Sequence, residues 1–361
     1  MSTIKVNTID NNGSNVDFPN KLKVRGNAIE QGYTASGTEP SSPSEGDFWW
    51  DSTNEKIYQY INSEFKEISF IPPIAWGGDR AIVWSESNST IDYFDITTAG
   101  NASDFGDYTV ADQYRAGSLS DKTKALIGGG GTYLNSISYN TVATLGNSVD
   151  FGDLTVGRRD LHGGSSDGTY GVFWTGYASG FNNTIDYVTI ANTGNATDFG
   201  NGSAGGLGTA ATTDATRGVC FVGRTSANVY DNRIEYITIA STGNATDFGD
   251  STAGRYGGAA MSDATYSLHM GGYANGGSSD TIDYVTTQTL GNATDFGNML
   301  AATVYLGAAS NGTTGVMTGG NDGSNINTIQ SVTIVTAGNS SDFGDLTAAM
   351  SQIAATSGNA S

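Results

Sequence analysis

Apolar residues in this chain come in short runs closed off by turn residues, and one stretch shows the pattern well. Arg217–Gly223 (RGVCFVG) is an apolar run with β-branched and aromatic residues, ended by glycine. Arg233–Ser241 (RIEYITIAS) is a second run, and Thr242–Asp250 (TGNATDFGD) opens on a Thr-Gly-Asn turn before a short edge-like strand. Runs of this length and composition, bounded by Gly, Asn and Ser, read as strands. In the second run Ile234, Tyr236 and Thr238 alternate onto one face while Ile237 and Ile239 fill the other, which predicts a strand covered on both sides. A weaker strand near Gly258–Met261 and a stronger one at Tyr266–Met270 follow. Helical periodicity is almost absent, and 51 glycines among many Thr, Ser and Asn argue against helices. The pattern predicts an all-β chain with four short strands per unit.

The unit repeats. Asp-Phe-Gly occurs six times, with its Phe at Phe105, Phe151, Phe199, Phe248, Phe296 and Phe343, at steps of 46, 48, 49, 48 and 47 residues. In protein kinases this triplet holds magnesium, but a catalytic Asp is needed once, and neither a Val-Ala-Ile-Lys strand nor a His-Arg-Asp loop accompanies it. The triplet is therefore read as part of a structural unit. An Ile-x-Tyr stretch begins 14 residues before each Phe, at Ile91, Ile137, Ile185, Ile234, Ile282 and Ile329; only the last departs, reading Ile329-Gln330-Ser331. All length variation falls outside this segment, which predicts a rigid two-strand piece, with loops elsewhere absorbing the slack.

Four-stranded repeats of about 48 residues predict a six-bladed β-propeller. A β-solenoid is the alternative; its shorter, more uniform rungs fit less well. Leu126–Gly131, His269–Tyr273 and Met317–Asn321 each carry a double glycine after the second strand, whereas Phe173–Tyr177 and Cys220–Arg224 carry one. Glycine there permits close backbone approach or positive φ. The double glycine resembles that of kelch-like propellers. Pro73–Gly78 is read as the first strand of the first copy. Leu346–Ser361 looks like the start of a seventh and is expected to pack beside the first blade and close the ring.

All five prolines lie in the first 73 residues, which places a domain boundary near Phe70–Pro73. Residues 1–29 read as an N-terminal β segment too short to bury a core alone, 30–47 as a polar linker, 48–70 as a small β-meander (Phe48–Trp50, Lys56–Ile61, Phe65–Phe70), and 71–361 as the propeller. The stretch IKVNTI…GSNVDFPNKLKVRGN resembles the start of tail-fibre and other virion structural proteins of marine bacteriophages, cyanophage-like ones especially. PSSPSEGDFWWDSTNEKIYQYINSEFKEI resembles a small module of such fibres, and the Asn-Ala-Thr-Asp-Phe-Gly-Asp repeats have counterparts in such virion proteins. The resemblance implies a homotrimer, an N-terminus docked to other virion tail proteins, a distal head, and a place in the virion tail or fibre after synthesis in the host cytoplasm.

Charge narrows the partners. The chain carries 36 acidic and 16 basic residues, net −20, and no Lys or Arg follows Arg255. Nucleic-acid binding needs phosphate-neutralising cations, and an anionic membrane surface would repel the chain. No apolar run is long enough to insert in a membrane, and no secretory signal is visible. Cys220, the only cysteine, sits in an apolar strand as a small hydrophobe. His162 and His269 occupy non-equivalent repeat positions without ligand-like spacing, so no metal is expected from them. The repeated aspartates (Asp104/Asp107, Asp150/Asp153, Asp247/Asp250, Asp342/Asp345) could offer oxygens to calcium, but turn capping explains them without an ion.

No catalytic residue and no cofactor is expected. The Phe of each triplet is assigned to packing between units. Receptor contact is placed in the variable loops after the second strands, at Tyr133, Tyr177, Phe181, Tyr230 and Tyr273, whose aromatic rings suit a host-surface glycan or protein. The primary expectation is a tail-fibre or tail-associated receptor-binding protein that is not an enzyme. A structural joint or decoration of the virion is the alternative, and a polysaccharide-acting propeller enzyme, which would need carboxylates and arginines converging at the centre, is a third.

Overall fold

A computed structural model describes residues 23–24, 27–28, 33–51, 56–61, 63–67, 77–84, 89–226, 229–274 and 276–360. The described residues are all β and contain no helix; none therefore forms a helix long and apolar enough to cross a membrane. The chain divides into two units, 1–72 and 73–361.

The first unit holds a two-residue hairpin, Lys23–Val24 with Asn27–Ala28, and a four-stranded sheet. Tyr33–Ser36 runs parallel to Phe48–Asp51, and Lys56–Ile61 and Glu64–Glu67 add antiparallel. The segment read as linker thus contributes a strand. Trp49 organises the sheet: it is buried, stacks on Tyr58 at 4.8 Å, meets Phe65 edge-on, and donates its Nε1–H to the Ser36 carbonyl. The rest of residues 1–29, the first turn of the meander at 52–55 and the end of its last strand at 68–70 lie outside the described residues.

The second unit contains six four-stranded antiparallel sheets. In strand order they are Gly117–Ser120, Lys124–Gly128, Ser136–Thr141 and Val149–Asp153; Gly164–Ser166, Tyr170–Phe173, Thr184–Thr189 and Thr197–Asn201; and Ala210–Thr213, Arg217–Ser226, Val229–Thr238 and Thr246–Asp250. Then come Ala259–Ser262, Tyr266–Met270, Thr281–Thr286 and Thr294–Asn298; and Gly307–Ser310, Thr314–Thr318, Ile326–Thr333 and Ser341–Met350. The remaining sheet takes its first strand, Ala354–Gly358, from the C-terminus and the others, Arg80–Trp84, Thr90–Asp95 and Ser103–Asp107, from the start of the unit. The C-terminal stretch therefore enters the first sheet as its first strand rather than packing beside it. Gly77 and Gly78 are not in a strand, and 73–76 lie outside the described residues.

Each hydrophobic cluster is shared by two successive sheets. Phe151 packs with Leu126 and Ile137 of its own sheet and with Phe173 and Val188 of the next. Phe105, Phe199, Phe248, Phe296 and Phe343 hold the same place in the other five clusters, the last of which joins the sixth sheet to the first. The Tyr of Ile-x-Tyr meets its Phe edge-on, as Tyr236 meets Phe248 at 6.1 Å, a favoured aromatic geometry. Ser331 replaces that Tyr in the last copy, and Phe94 of the following sheet approaches Phe343 instead.

The glycine of each triplet sits at a backbone joint. Gly106 has φ +148, and a Cβ there would lie 2.6 Å from the carbonyl of Gly146 in the next repeat's Gly-Asn turn. Across the joint Gly146 N–H donates to the Phe105 carbonyl, Ser148 N–H to the Asp107 carbonyl, and Asp107 N–H to Asn147 Oδ1. The Asn contact recurs at all six joints, the last from Asp345 N–H to Asn101 Oδ1. The turn of one repeat so covers the exposed backbone edge of the preceding sheet, an edge that would otherwise invite aggregation.

A β-bulge follows the Ile of every Ile-x-Tyr stretch. The extra residue is the triplet Phe of the facing strand, as Phe248 lies between Gly249, opposite Ile234, and Asp247, opposite Glu235. The Ile strand itself keeps alternating, and Ile234 and Glu235 are both buried because both its faces are covered. The middle residue reaches back to the loop after the preceding triplet. Asp186 accepts from Thr155 and pairs with Arg158 at 2.7 Å, Asp283 accepts from Thr252 and pairs with Arg255 at 2.9 Å, and Asp92 accepts from Thr347.

Candidate functional site

The six first strands lie side by side around a narrow cavity of about 60 Å³. Hydroxyls tie neighbouring first strands together: Ser118 donates to the Ala355 carbonyl, Ser165 to that of Thr212, Thr213 to that of Ser166, and Ser357 to that of Ser310. The small side chains in these strands let six backbones converge without leaving buried polar groups unpaired.

At the N-terminal ends of the first strands a chain of backbone hydrogen bonds passes from sheet to sheet. Asp160 N–H donates to Arg115, Gly208 to Asp160, Gly257 to Gly208, Tyr305 to Gly257, Ile353 to Tyr305, and Arg115 to Gln352. The residues at this position adopt left-handed φ: Arg115 57°, Asp160 62°, Gly208 68°, Gly257 67°, Tyr305 59° and Gln352 56°. Glycine adopts that conformation freely, whereas other residues are strained by roughly 1–3 kcal/mol each. Four of the six positions nevertheless carry large polar side chains.

Those side chains form a cluster. Asp160 is buried, 3.6 Å from Arg115 and 3.4 Å from Arg159. Burial raises its carboxyl above the ordinary range, against the pull of Arg115, Arg159 and Arg224. Each of the three guanidinium groups also lies over a tyrosine: Arg115 over Tyr305 at 5.7 Å, Arg159 over Tyr133 at 5.0 Å, and Arg224 over Tyr256 at 5.3 Å. Such cation–π contacts hold the groups in place while leaving edge donors free. Arg115 further donates to Gln352 Oε1. Beneath them His162 lines the cavity and stacks on Tyr305. Burial, with the nearby charge of Arg115, pushes its pKa down to about 4. Neither ring nitrogen has a hydrogen-bond partner of normal geometry; the Ile353 backbone favours the charged form, as the weakest of the influences on the ring.

The sequence-predicted aromatics fall into two groups beside this cluster. Tyr133, Tyr177 and Phe181 form one chain of ring contacts, with Arg159 also over Tyr177 at 5.7 Å. Tyr230 and Tyr273 form another, joined by Tyr256, which continues to Tyr305. Tyr133 and Phe181 are exposed and the others half-buried. The backbone explains the placement: the residue before the left-handed position pairs with one near or just past the end of the second strand, as Arg159 with Tyr177, Leu207 with Arg224 inside Arg217–Ser226, and Tyr256 with Tyr273. No model of a known protein family matches the chain, and no curated protein is significantly similar to it in sequence.

Sequence reasoning did not single out Arg115, Arg159, Arg224, Asp160, Tyr256, Tyr305 or Gln352. The one available signal was Arg224, which stands in CFVGR where other copies have the second glycine. Among the described residues no three His, Cys, Asp or Glu side chains are grouped to hold a metal ion. Of the triplet aspartates, Asp104 accepts from the Gly106 N–H, a local turn contact. Cys220 is buried, and burial pushes its thiol well above the ordinary range. His269 is stacked on Phe221 at 4.5 Å and lies 3.1 Å from Arg255.

Proposed function

We propose that the second unit is a six-bladed β-propeller serving as a binding head, and that the protein is a tail-fibre or tail-associated receptor-binding protein of a phage virion. The propeller reading is supported by the succession of shared clusters and Asn joints from sheet to sheet, which returns from the sixth sheet to the first. The virion assignment rests on the resemblance of the first 70 residues to phage fibre proteins. The observation that carries the binding role is the convergence of exposed and half-buried aromatics with three arginines at one end of the first strands. One buried carboxylate, Asp160, stands among the six left-handed residues, whereas glycoside hydrolysis ordinarily employs two flanking the scissile bond. The arrangement suits holding a ligand.

The test is competition. Purified full-length protein, added in excess, should block adsorption of the phage carrying it, and particles lacking residues 73–361 should assemble but fail to adsorb. Undiminished adsorption of such particles would leave the structural-joint reading in its place.

A further inference from the structure

We propose that the arginine–tyrosine cluster at the N-terminal ends of the first strands binds an acidic saccharide, its oxyanion on the guanidinium groups and its ring against the flanking tyrosines. This deepens the binding reading above and rests on it.

Three observations converge. First, the cluster is locally cationic in a chain of net charge −20: Arg115, Arg159 and Arg224 surround the single carboxylate of Asp160. Asp160 is buried, whereas Arg115 and Arg159 remain 25% and 31% exposed, so cationic donors rather than the carboxylate face outward. Guanidinium edges match the oxygens of a carboxylate or sulfate in paired geometry. Secondly, polar atoms here are buried and short of hydrogen-bond partners. Both nitrogens of His162 and the Nε of Arg224 lack a hydrogen-bond partner of normal geometry, and the Nε of Arg159 and Oδ2 of Asp160 meet only as an ion pair at 3.4 Å. His162 is only 4% exposed and lines the cavity beneath the cluster. A neutral imidazole offers one donor and one acceptor, so a hydroxyl-bearing ligand, or water held beneath it, can satisfy both. Thirdly, the strained left-handed backbone at Arg115, Asp160, Tyr305 and Gln352 places these side chains where glycine would fold more easily. Strain of this kind clusters at ligand-binding positions.

A neutral sugar would use the tyrosines but leave the arginines without an anion. Nucleic acid would meet strong repulsion from the rest of the molecule. An oxyanion carried on a sugar uses both features. Its source, a uronic-acid carboxylate or a sulfate ester, is separable by the probe.

The experiment is calorimetric titration of the full-length protein with a galacturonate trisaccharide, a sulfated galactose oligosaccharide and a neutral galactose trisaccharide. At least one acidic probe should bind about tenfold more tightly than the neutral one, and its affinity should fall as salt rises. Arg159→Gln and Arg224→Gln should each weaken that binding by about tenfold with unchanged thermal unfolding. Arg217→Gln, which removes an arginine that lies over Tyr236 at the opposite end of the strand that carries Arg224, should leave it unchanged. Equal affinity for acidic and neutral probes, no binding of either acidic probe at millimolar concentration, or indifference to both arginine changes would overturn the assignment. If free protein blocks adsorption while the acidic probes do not bind, the receptor reading stands and this site falls. Binding of acidic probes without any effect on adsorption gives the reverse.

Discussion

Gly106 and Gly146 form a matched pair that isolates what a backbone joint contributes. Both have nearly the same positive φ, +148 and +153, so alanine strains either position by a similar amount, about 1–3 kcal/mol. The difference lies in space. A Cβ on Gly146 meets nothing within 4 Å, whereas one on Gly106 lies 2.6 Å from the Gly146 carbonyl carbon and oxygen. That is roughly 1 Å inside a comfortable contact, and the obstacle is backbone, so the edge strand and the turn must part. Parting them stretches three hydrogen bonds, from Gly146 to Phe105, from Ser148 to Asp107, and from Asp107 to Asn147. At about 0.5–1.5 kcal/mol each, Gly106→Ala should cost about 1.5–4.5 kcal/mol more than Gly146→Ala. For a unit of this size, about 2 °C per kcal/mol gives a further fall in Tm of about 3–9 °C. Thermal unfolding followed by far-UV circular dichroism at one scan rate reads it. Equal losses from the two substitutions would show that the triplet glycine answers to backbone conformation alone and that the joint contributes nothing.

Other changes probe the buried polar positions and the turns. Asp186→Asn leaves Arg158 buried without its counter-charge and should lower stability by about 3–5 kcal/mol in denaturant titration. Asp92, the equivalent carboxylate without an arginine, has its pKa raised above 3.8, chiefly by burial. A raised folded-state pKa gives stability that is fully present below pH 3.8 and lost as pH rises through the folded value. Asp92→Asn should therefore be neutral or stabilising at pH 7 and lose that advantage near pH 3; a large loss at pH 7 would contradict the account. Ala264 holds φ 78° in a turn where Asp263 accepts from Thr265 and Tyr266, and the equivalent residues Gly168 and Gly312 are glycines. Ala264→Gly should raise stability by about 0.5–1 kcal/mol, visible as a higher denaturant midpoint. Removing residues 354–361 deletes the first strand of the first sheet and exposes Ile82 and Trp84; the truncated chain should lose cooperative unfolding and bind a hydrophobic dye.

Much of the all-β architecture was legible because strands and turns are local. Tyr266–Met270 and Lys56–Ile61 follow from short apolar runs with clear punctuation, and the fixed offset between Ile234 and Phe248 marks a pair of bonded strands. The alternation in Arg233–Ser241 was legible as well: Ile234 and Tyr236 pack into one cluster and Ile237 and Ile239 into the next. Tyr33–Ser36 looks like linker because its partner, Phe48–Asp51, lies across a polar crossover. The five aromatics expected in loops are exposed only at Tyr133 and Phe181, Tyr230 belongs to the third strand Val229–Thr238, and their arginine neighbours were not legible. Arg115, Arg159 and Arg224 belong to different repeats, and only long-range backbone pairing brings them to one place.

The middle residue of Ile-x-Tyr shows how repeats within one chain can stand in for comparison between chains. The position is buried in all six copies, as Asp92, Ser138, Asp186, Glu235, Asp283 and Gln330. Its neighbours vary with its charge. Asp186 and Asp283 each have a buried arginine, Arg158 or Arg255, seven residues beyond the preceding triplet Phe. Gln330, which is neutral, has Thr303 at the same offset and accepts instead from the Leu300 backbone and the Ser340 hydroxyl. Glu235 has Gly206 there and takes Ser203 and Arg233 as partners. Asp92 has Met350 there, and burial holds its carboxyl above the ordinary range. In five of the six copies the residue thus accepts from the preceding loop and ties it to the sheet, the exception being Ser138, whose hydroxyl has no hydrogen-bond partner. Two of the three buried aspartates carry an arginine as counter-charge. The arginines around Asp160 answer to no such rule: three of them meet one carboxylate, and two stay partly open to solvent. Structural need accounts for paired charges in this fold, so the surplus of cations at that end of the first strands is what calls for a ligand.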